Sequence, residues 1–321
     1  MNMNITIYST ILAFIIVLLL GPLVIPALVK FKFGQTERID GPKSHLKKSG
    51  TPTMGGIMFI LSIVITALVV SPKISSDLIV ALITMLGFGL IGFLDDSLKI
   101  KRKRNLGLRA YQKLIGQIAF SFILSYYAYK NPAIGSMVNI PFTNKMVNLG
   151  IWYIPFMMFV VVGTTNGVNL TDGLDGLASG VTLIISIFFS IVTFGLGDKY
   201  LSVFCGALSG SLLGFLKYNS YPAEVFMGDT GSLALGGAVS ALAVLLKMPF
   251  ILVIAGIIYV VEVLSDIIQV TSFKLTGKRV FKMSPLHHHF EQEGYSETKI
   301  VAWFCITTAI ACLVGFLSIS F

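Results

Sequence analysis

Along this chain apolar residues come in long unbroken runs, centred on residues 5–29, 54–71, 78–94, 114–129, 150–163, 176–196, 200–216, 232–246, 249–270 and 300–321. Continuous runs of this length point to helices that cross a membrane, because a membrane barrel would alternate apolar and polar residues over segments of about 10. Ten spans of about 20 residues would use roughly 200 positions, leaving short connections and a few polar loops but no separate soluble domain. The pattern predicts an all-α, polytopic membrane protein, one transmembrane unit over residues 1–321 with about ten helices. The fifth and eighth runs are short for a span and carry glycine, so the count can slip by one. The first run has no basic flank before it and exceeds the apolar core of a signal peptide, and we read it as a retained span.

Composition agrees, with 55% apolar and 12% charged residues. A net charge of +9 would suggest nucleic acid in a soluble protein, but here the basic residues lie between apolar runs, where topology explains them better. No nucleic-acid partner is expected. Nineteen of the 24 Lys and Arg residues fall in the connections after odd-numbered runs, leaving Lys73, Lys130, Lys145, Lys199 and Lys247 on the other side. By the positive-inside rule the loops at approximately 30–53, 95–113, 164–175, 217–231 and 271–299 face the cytoplasm, and both termini are extracytoplasmic. The three cysteines, Cys205, Cys305 and Cys312, are odd in number and lie inside apolar runs, which argues against a disulfide or zinc framework. No internal repeat and no inverted pair of broken helices is visible, a mild argument against a transporter.

The carboxylates change the picture. Asp95 and Asp96 follow the third run, Asp172 and Asp175 precede the sixth, and Asp229 precedes the eighth, all on the expected cytoplasmic side. A carboxylate at a membrane boundary is costly unless hydrated, paired or bound to metal, so several converging from different helices suggest a cation site. Lysines in the same loops suggest an anionic substrate. Asp95 and Asp96 taken alone also read as a polar helix terminus. Asp172 and Asp175 would share a helical face, and they also read as an N-cap and first-turn acid of the sixth helix. That capping role leaves Asn166, Asn169 and three glycines unexplained. Asp229 in Gly228-Asp-Thr-Gly-Ser232 likewise reads as a cap or as the anchor of a magnesium ion, which needs only one or two protein carboxylates.

Two further stretches are basic or histidine-rich. Lys47-Lys-Ser-Gly-Thr-Pro-Thr53 enters a glycine-rich helix start without P-loop spacing, and it serves as a positive flank or as a set of donors to an anion. The basic run Lys101–Arg104 reads as a topology signal. His287, His288 and His289 are adjacent, and three consecutive side chains cannot all face one ion from a regular helix, so zinc is disfavoured. Beside a phosphate they would donate hydrogen bonds or positive charge; as plain loop residues they would be solvated. Glu262 and Asp266, one turn apart in the ninth run, stay unassigned.

Jointly these motifs resemble the phospho-N-acetylmuramoyl-pentapeptide transferase family, within the polyprenyl-phosphate N-acetylhexosamine-1-phosphate transferase superfamily. The resemblance covers nearly the whole chain. It rests on Lys47 to Gly56, Phe93-Leu-Asp-Asp96, Asn169 to Ala178, Gly228 to Ser232, and Pro285-Leu-His-His-His-Phe-Glu291. It implies transfer of phospho-MurNAc-pentapeptide from UDP-MurNAc-pentapeptide to undecaprenyl phosphate, giving lipid I and UMP, with Mg2+ as cofactor, in the bacterial cytoplasmic membrane. Carried over by motif, Asp229 would hold the metal, Asp95 would act as base or covalent nucleophile, and Asp96 would support both. Asn166, Asn169, Asp172 and the three histidines would position diphosphate or metal. Lys48, Thr53, Gly173, Leu174, Asp175 and Phe226 resemble the uridine-side pocket, and Lys99 and Lys113 the basic residues near the phosphates. Membrane lipids and a homodimer are further partners that the resemblance suggests. The rival readings are a sister transferase using UDP-GlcNAc, a cation-coupled transporter whose acids would sit at mid-membrane, and a non-catalytic lipid-binding scaffold.

Overall fold

A computed structural model of the chain describes residues 3–30, 50–71, 73–102, 107–143 and 145–319. Every apolar run falls on helix. The order is α1 Met3–Lys30, α2 Gly56–Val70, α3 Ser76–Arg102, α4 Ala110–Lys130, α5 Tyr153–Thr171, α6 Leu177–Gly195, α7 Lys199–Asn219 and α8 Gly228–Leu245. Then come α9 Pro249–Ala255, α10 Ile257–Thr276, α11 Leu286–Gln292 and α12 Glu297–Leu317. Seven helical segments are long and apolar enough to cross a membrane, or eight with α9 and α10 taken as one bent span. The protein is a multi-pass helical bundle.

The core is organised around α8. Every residue from Thr230 to Leu245 is buried, and the helix packs against α3 and α5 with α2, α4 and α6 at its flanks. Its Gly, Ala and Ser content permits this, since small side chains let neighbouring helices approach closely in a bilayer. On the periphery, α1 and α12 expose Leu19, Leu23, Leu313 and Leu317. Such surfaces suit lipid, where apolar side chains meet hydrocarbon while the helix satisfies its own backbone.

Three features depart from the sequence expectation. The ninth run is two helices bent by 82°. The break falls at Gly256 (φ −92°, ψ 29°), whose N–H returns to the Leu252 carbonyl and closes α9; glycine is a poor helix former but does not interrupt an apolar pattern. The all-α expectation also lacked a small antiparallel hairpin, β1 Met137–Ile140 with β2 Lys145–Asn148, pairing Met137 with Asn148 and Ile140 with Lys145. The Asn139 N–H of this hairpin donates to the Lys247 carbonyl just beyond α8. Lastly, α3 continues to Arg102 and α5 to Thr171, so helix covers the first part of the expected 95–113 and 164–175 connections. Asp95, Asp96, Lys99, Asn166 and Asn169 therefore stand on rigid helix ends.

Candidate active site

Where α3, α4, α5 and α8 meet, their polar ends converge. Asp95 and Asp96 are both buried in α3, and each offers an oxygen within 4.8 Å of the others in a triad completed by Asp229. Close packing makes this possible. A Cβ on Gly92, one turn before Asp96, would run into the backbone carbonyl of Asp229, so only glycine lets α3 meet the start of α8 here. Gly228 has φ +70°, and a Cβ there would lie 2.6 Å from Asp96 Oδ2 and 2.7 Å from Thr53 Oγ1.

The start of α8 has no side-chain cap of its own. Asp96 supplies one from α3: Oδ1 accepts from the Asp229 N–H at 3.3 Å, and Oδ2 from the Thr230 N–H at 2.8 Å and the Thr230 hydroxyl at 2.7 Å. Those N–H groups are among the first four of a helix, which lack intrahelical acceptors, and the positive helix end favours a carboxylate. The capping role read for Asp229 thus belongs to Asp96, and Asp229 sits one residue inside the helix with its carboxylate turned to the cluster.

Two ammonium groups span the carboxylates. Lys99 Nζ lies 2.7 Å from Asp95 Oδ2, 2.8 Å from Asp229 Oδ2 and 3.5 Å from Asp96 Oδ1, while Lys113 Nζ lies 3.0 Å from Asp229 Oδ2. Asp95 Oδ1 accepts from the Leu108 N–H at 2.8 Å. From α5, Asn169 Nδ2 donates to Asp229 Oδ1 and to Ser232 Oγ, each at 2.8 Å, and its Oδ1 accepts from Lys113 at 3.3 Å. One turn away, Asn166 and Gln117 exchange amide hydrogen bonds at 2.8 and 3.3 Å. Lys113 and Gln117 on α4 thereby face Asn169 and Asn166 on α5 as two rungs of a ladder. Three carboxylates against two ammoniums leave an excess negative charge in a hard, all-oxygen donor set, which can hold a metal ion.

Asp172 and Asp175 do not share a helical face. Asp172 lies just past the end of α5, and α6 begins only after Gly176, so the N-cap reading is corrected. Burial pushes the Asp172 carboxyl well above the usual range, with repulsion from Asp229, Asp96 and Asp175 adding to it. Asp175 is buried, and two of its contacts tie loops together: Oδ2 accepts from the Ala223 N–H at 2.9 Å, and its own N–H donates to Glu297 Oε1 at 2.6 Å. Leu174 is buried beside it. Thr53 is buried against Gly228, and the segment before α2 pairs with that before α8 through Phe226 N–H to Pro52 carbonyl at 2.9 Å and Gly55 N–H to Phe226 carbonyl at 2.8 Å. Lys48 lies outside the described residues.

The three histidines occupy different settings on α11. His287 is fully buried, with its ring over Gly173. His288 Nδ1 lies 2.7 Å from Glu291 Oε2, and His289 Nδ1 accepts from the Lys282 N–H at 3.2 Å. Sequence reasoning passed over Gln117 and Glu297, whose polar ends in this setting are explained only by partners distant in the chain. Spacing alone could have found Gln117, one turn from Lys113 in an apolar run.

The glycosyl transferase family 4 model matches residues 78–247, and the phospho-N-acetylmuramoyl-pentapeptide-transferase signature 1 matches residues 48–60. A phospho-N-acetylmuramoyl-pentapeptide-transferase of Clostridium kluyveri (strain NBRC 12016) is 58% identical over 313 residues, spanning 98% of this chain and 99% of its own. That of Clostridium novyi (strain NT) is 58% identical over 317 residues, covering 99% and 98%, and that of Clostridium perfringens (strain 13 / Type A) 55% over 311, covering 97% and 98%. With relatives this similar over nearly its full length, the chain belongs to the phospho-N-acetylmuramoyl-pentapeptide-transferase family.

Proposed function

We propose that this protein transfers phospho-MurNAc-pentapeptide from UDP-MurNAc-pentapeptide to undecaprenyl phosphate, releasing UMP and forming lipid I in the bacterial cytoplasmic membrane. The observation that carries the reading is the Asp95, Asp96 and Asp229 triad bridged by Lys99 and Lys113, in a chain that is 58% identical over 313 residues to a transferase named for this activity.

Moving a phosphoryl group between two anions demands charge neutralisation and in-line positioning more than covalent protein chemistry. An oxygen of the lipid phosphate forms the new bond to the sugar-bearing phosphorus, and UMP leaves with the bridging oxygen and its electron pair. Asp95 takes the proton when the lipid phosphate carries one. Both Asp95 oxygens are already engaged, by Lys99 and by the Leu108 N–H, which suits a base held in place better than a nucleophile that must attack. Lys99 and Lys113 bind the diphosphate. Asn169 orients Asp229, and Thr53, Gly173, Leu174, Asp175 and Phe226 form the uridine side. Asp229, with Asp95 and Asp96 beside it, fits a magnesium ion. When bound, that ion would supply positive charge to the diphosphate oxygens.

We place the site at the cytoplasmic surface, where a soluble donor and a membrane-embedded acceptor can meet, and where the Lys and Arg bias puts these helix ends. The seven long apolar segments, the bent α9–α10 pair, α2 and α4 then make ten spans with both termini outside. The test is UMP release by detergent-purified protein with undecaprenyl phosphate and magnesium, comparing UDP-MurNAc-pentapeptide with UDP-GlcNAc. Chelator-sensitive release with the muramoyl donor alone is the expected result. Release with UDP-GlcNAc alone would move the protein to a sister activity, and none with either donor would overturn the reading.

A further inference from the structure

Glu262 is a fully buried carboxyl on the inward face of α10, beside Tyr259, Ser265 and Gln269, and among the described residues neither of its oxygens has a hydrogen-bond partner. Its near polar neighbour is His287, whose Nδ1 lies 3.1 Å from Glu262 Oε2 without the alignment of a hydrogen bond. His287 is itself fully buried, and among the described residues Nε2 also lacks a hydrogen-bond partner while the ring lies over Gly173. Buried polar groups are almost always satisfied, and their exceptions call for an explanation. Two such groups side by side, joining α10 to the turn after α5, are costly to keep for packing alone.

We propose that Glu262 is the positioning residue of His287: its carboxylate holds the proton on Nδ1 and leaves Nε2 as the face turned to the Gly173 turn, where the nucleotide donor binds. The proposal rests on the reading of that turn as the donor's uridine side. Which nitrogen of a neutral imidazole carries the proton is set by the partner of the other, and a carboxylate accepts only. A straight Nδ1–H to Oε2 hydrogen bond needs a small rotation of either side chain from the present 3.1 Å approach. Were Glu262 protonated instead, it would donate to Nδ1 and the tautomer would be the opposite one.

The experiment uses the full-length protein in detergent with 15N-labelled histidine, the His287 signals being those lost in His287→Asn. A protonated Nδ1 and an unprotonated Nε2 are expected in the wild type. Glu262→Gln, whose carbonyl still accepts, should keep that pattern and most of the activity. Glu262→Leu should lose it and raise KM for UDP-MurNAc-pentapeptide by about 10- to 100-fold, the scale of leaving one buried polar group unpaired, with KM for undecaprenyl phosphate unchanged. An Nε2–H tautomer in the wild type overturns the proposal even if the leucine variant does not fold. So does a Glu262→Leu protein that keeps the wild-type pattern, or whose donor KM moves less than about threefold against the expected range. A wild type that shows the expected tautomer but no transfer would overturn the proposed function and leave the Glu262 assignment supported.

Discussion

Thr230 gives both of its donors to Asp96, the backbone N–H at 2.8 Å and the hydroxyl at 2.7 Å. With the Asp229 N–H on its other oxygen, Asp96 is committed to holding the start of α8. Adjacent carboxylates in one motif thus divide their work: Asp96 fixes the helix that carries Asp229, and Asp95 stays paired with Lys99.

Replacing Asp96 should therefore damage stability and activity together. Asp96→Ala removes the cap of α8 and is expected to cost about 1–2 kcal/mol, in the range of lost N-caps. Asp96→Asn keeps one acceptor and should cost less. Thr230→Val removes the hydroxyl donor but keeps the N–H, for an expected loss of about tenfold in turnover, equivalent to about 1.4 kcal/mol. Thermal unfolding in detergent beside UMP release checks both; equal stability of Asp96→Ala and wild type would sink the capping role.

Asp229→Asn leaves the hydrogen-bond skeleton of α8 intact and removes a charge from the triad. Turnover should fall by at least about 10³-fold, with the larger share in kcat. Magnesium titration of the variant should fail to restore it. Near-normal turnover would refute the role given to Asp229.

Gly92→Ala tests the close approach of α3 and α8. Alanine is the better helix former by about 1 kcal/mol, so propensity alone predicts a gain. The new methyl would collide with the Asp229 backbone, and overpacking of this kind costs about 1–3 kcal/mol. The variant is expected to lose activity more than stability, because the displaced atoms belong to the triad. A fully active, stabilised Gly92→Ala protein would contradict the packing.

Asp172 carries a pH signature. Its native pKa lies above the ordinary 3.8, so the extra stability of the native protonated form is complete below that value and is lost as the pH rises through the native pKa. Asp172→Asn should therefore raise Tm at neutral pH, by about 2 °C or more, and flatten the decline expected of the wild type above pH 4. Activity should drop in the same variant, since a carboxyl kept at a cost to stability is one retained for use. Unfolding curves across pH, with UMP release at each point, separate the two effects.

Donor alone should leave no phosphoryl group on the protein. If Asp95 acts as base, label from the sugar-bearing phosphate appears on lipid only after undecaprenyl phosphate is added. Stoichiometric acid-stable labelling of the protein before that addition would transfer Asp95 to the nucleophile role.

Much of this site was legible in the sequence because carboxylates are scarce in an apolar chain. Asp95, Asp96 and Asp229 stood out at the ends of runs, and the structure brings them within one cluster. What spacing could not give was the division of labour, because the cap of α8 comes from α3, more than 130 positions earlier. Asp172 and Asp175 misled for a related reason: i, i+3 spacing implies one face only when the helix continues, and here α5 stops at Thr171. The hairpin at 137–148 is too short for a period of two to emerge, and Gly256 breaks α9 from α10 without any polar residue to announce it. Gln117 and Glu262 were visible as polar letters in apolar runs, but their meaning depends on Asn166 and His287, which only tertiary packing supplies.

The buried helix α8 also works as a depth gauge. Eighteen residues rise about 27 Å, close to the roughly 30 Å of a hydrocarbon core. With Asp229 at one end and the Lys247 carbonyl tied to the hairpin just past the other, the rod cannot slide without breaking a bond at one boundary. The hairpin, at the end of α8 opposite Asp229, thus helps fix how deep in the bundle the carboxylate cluster sits.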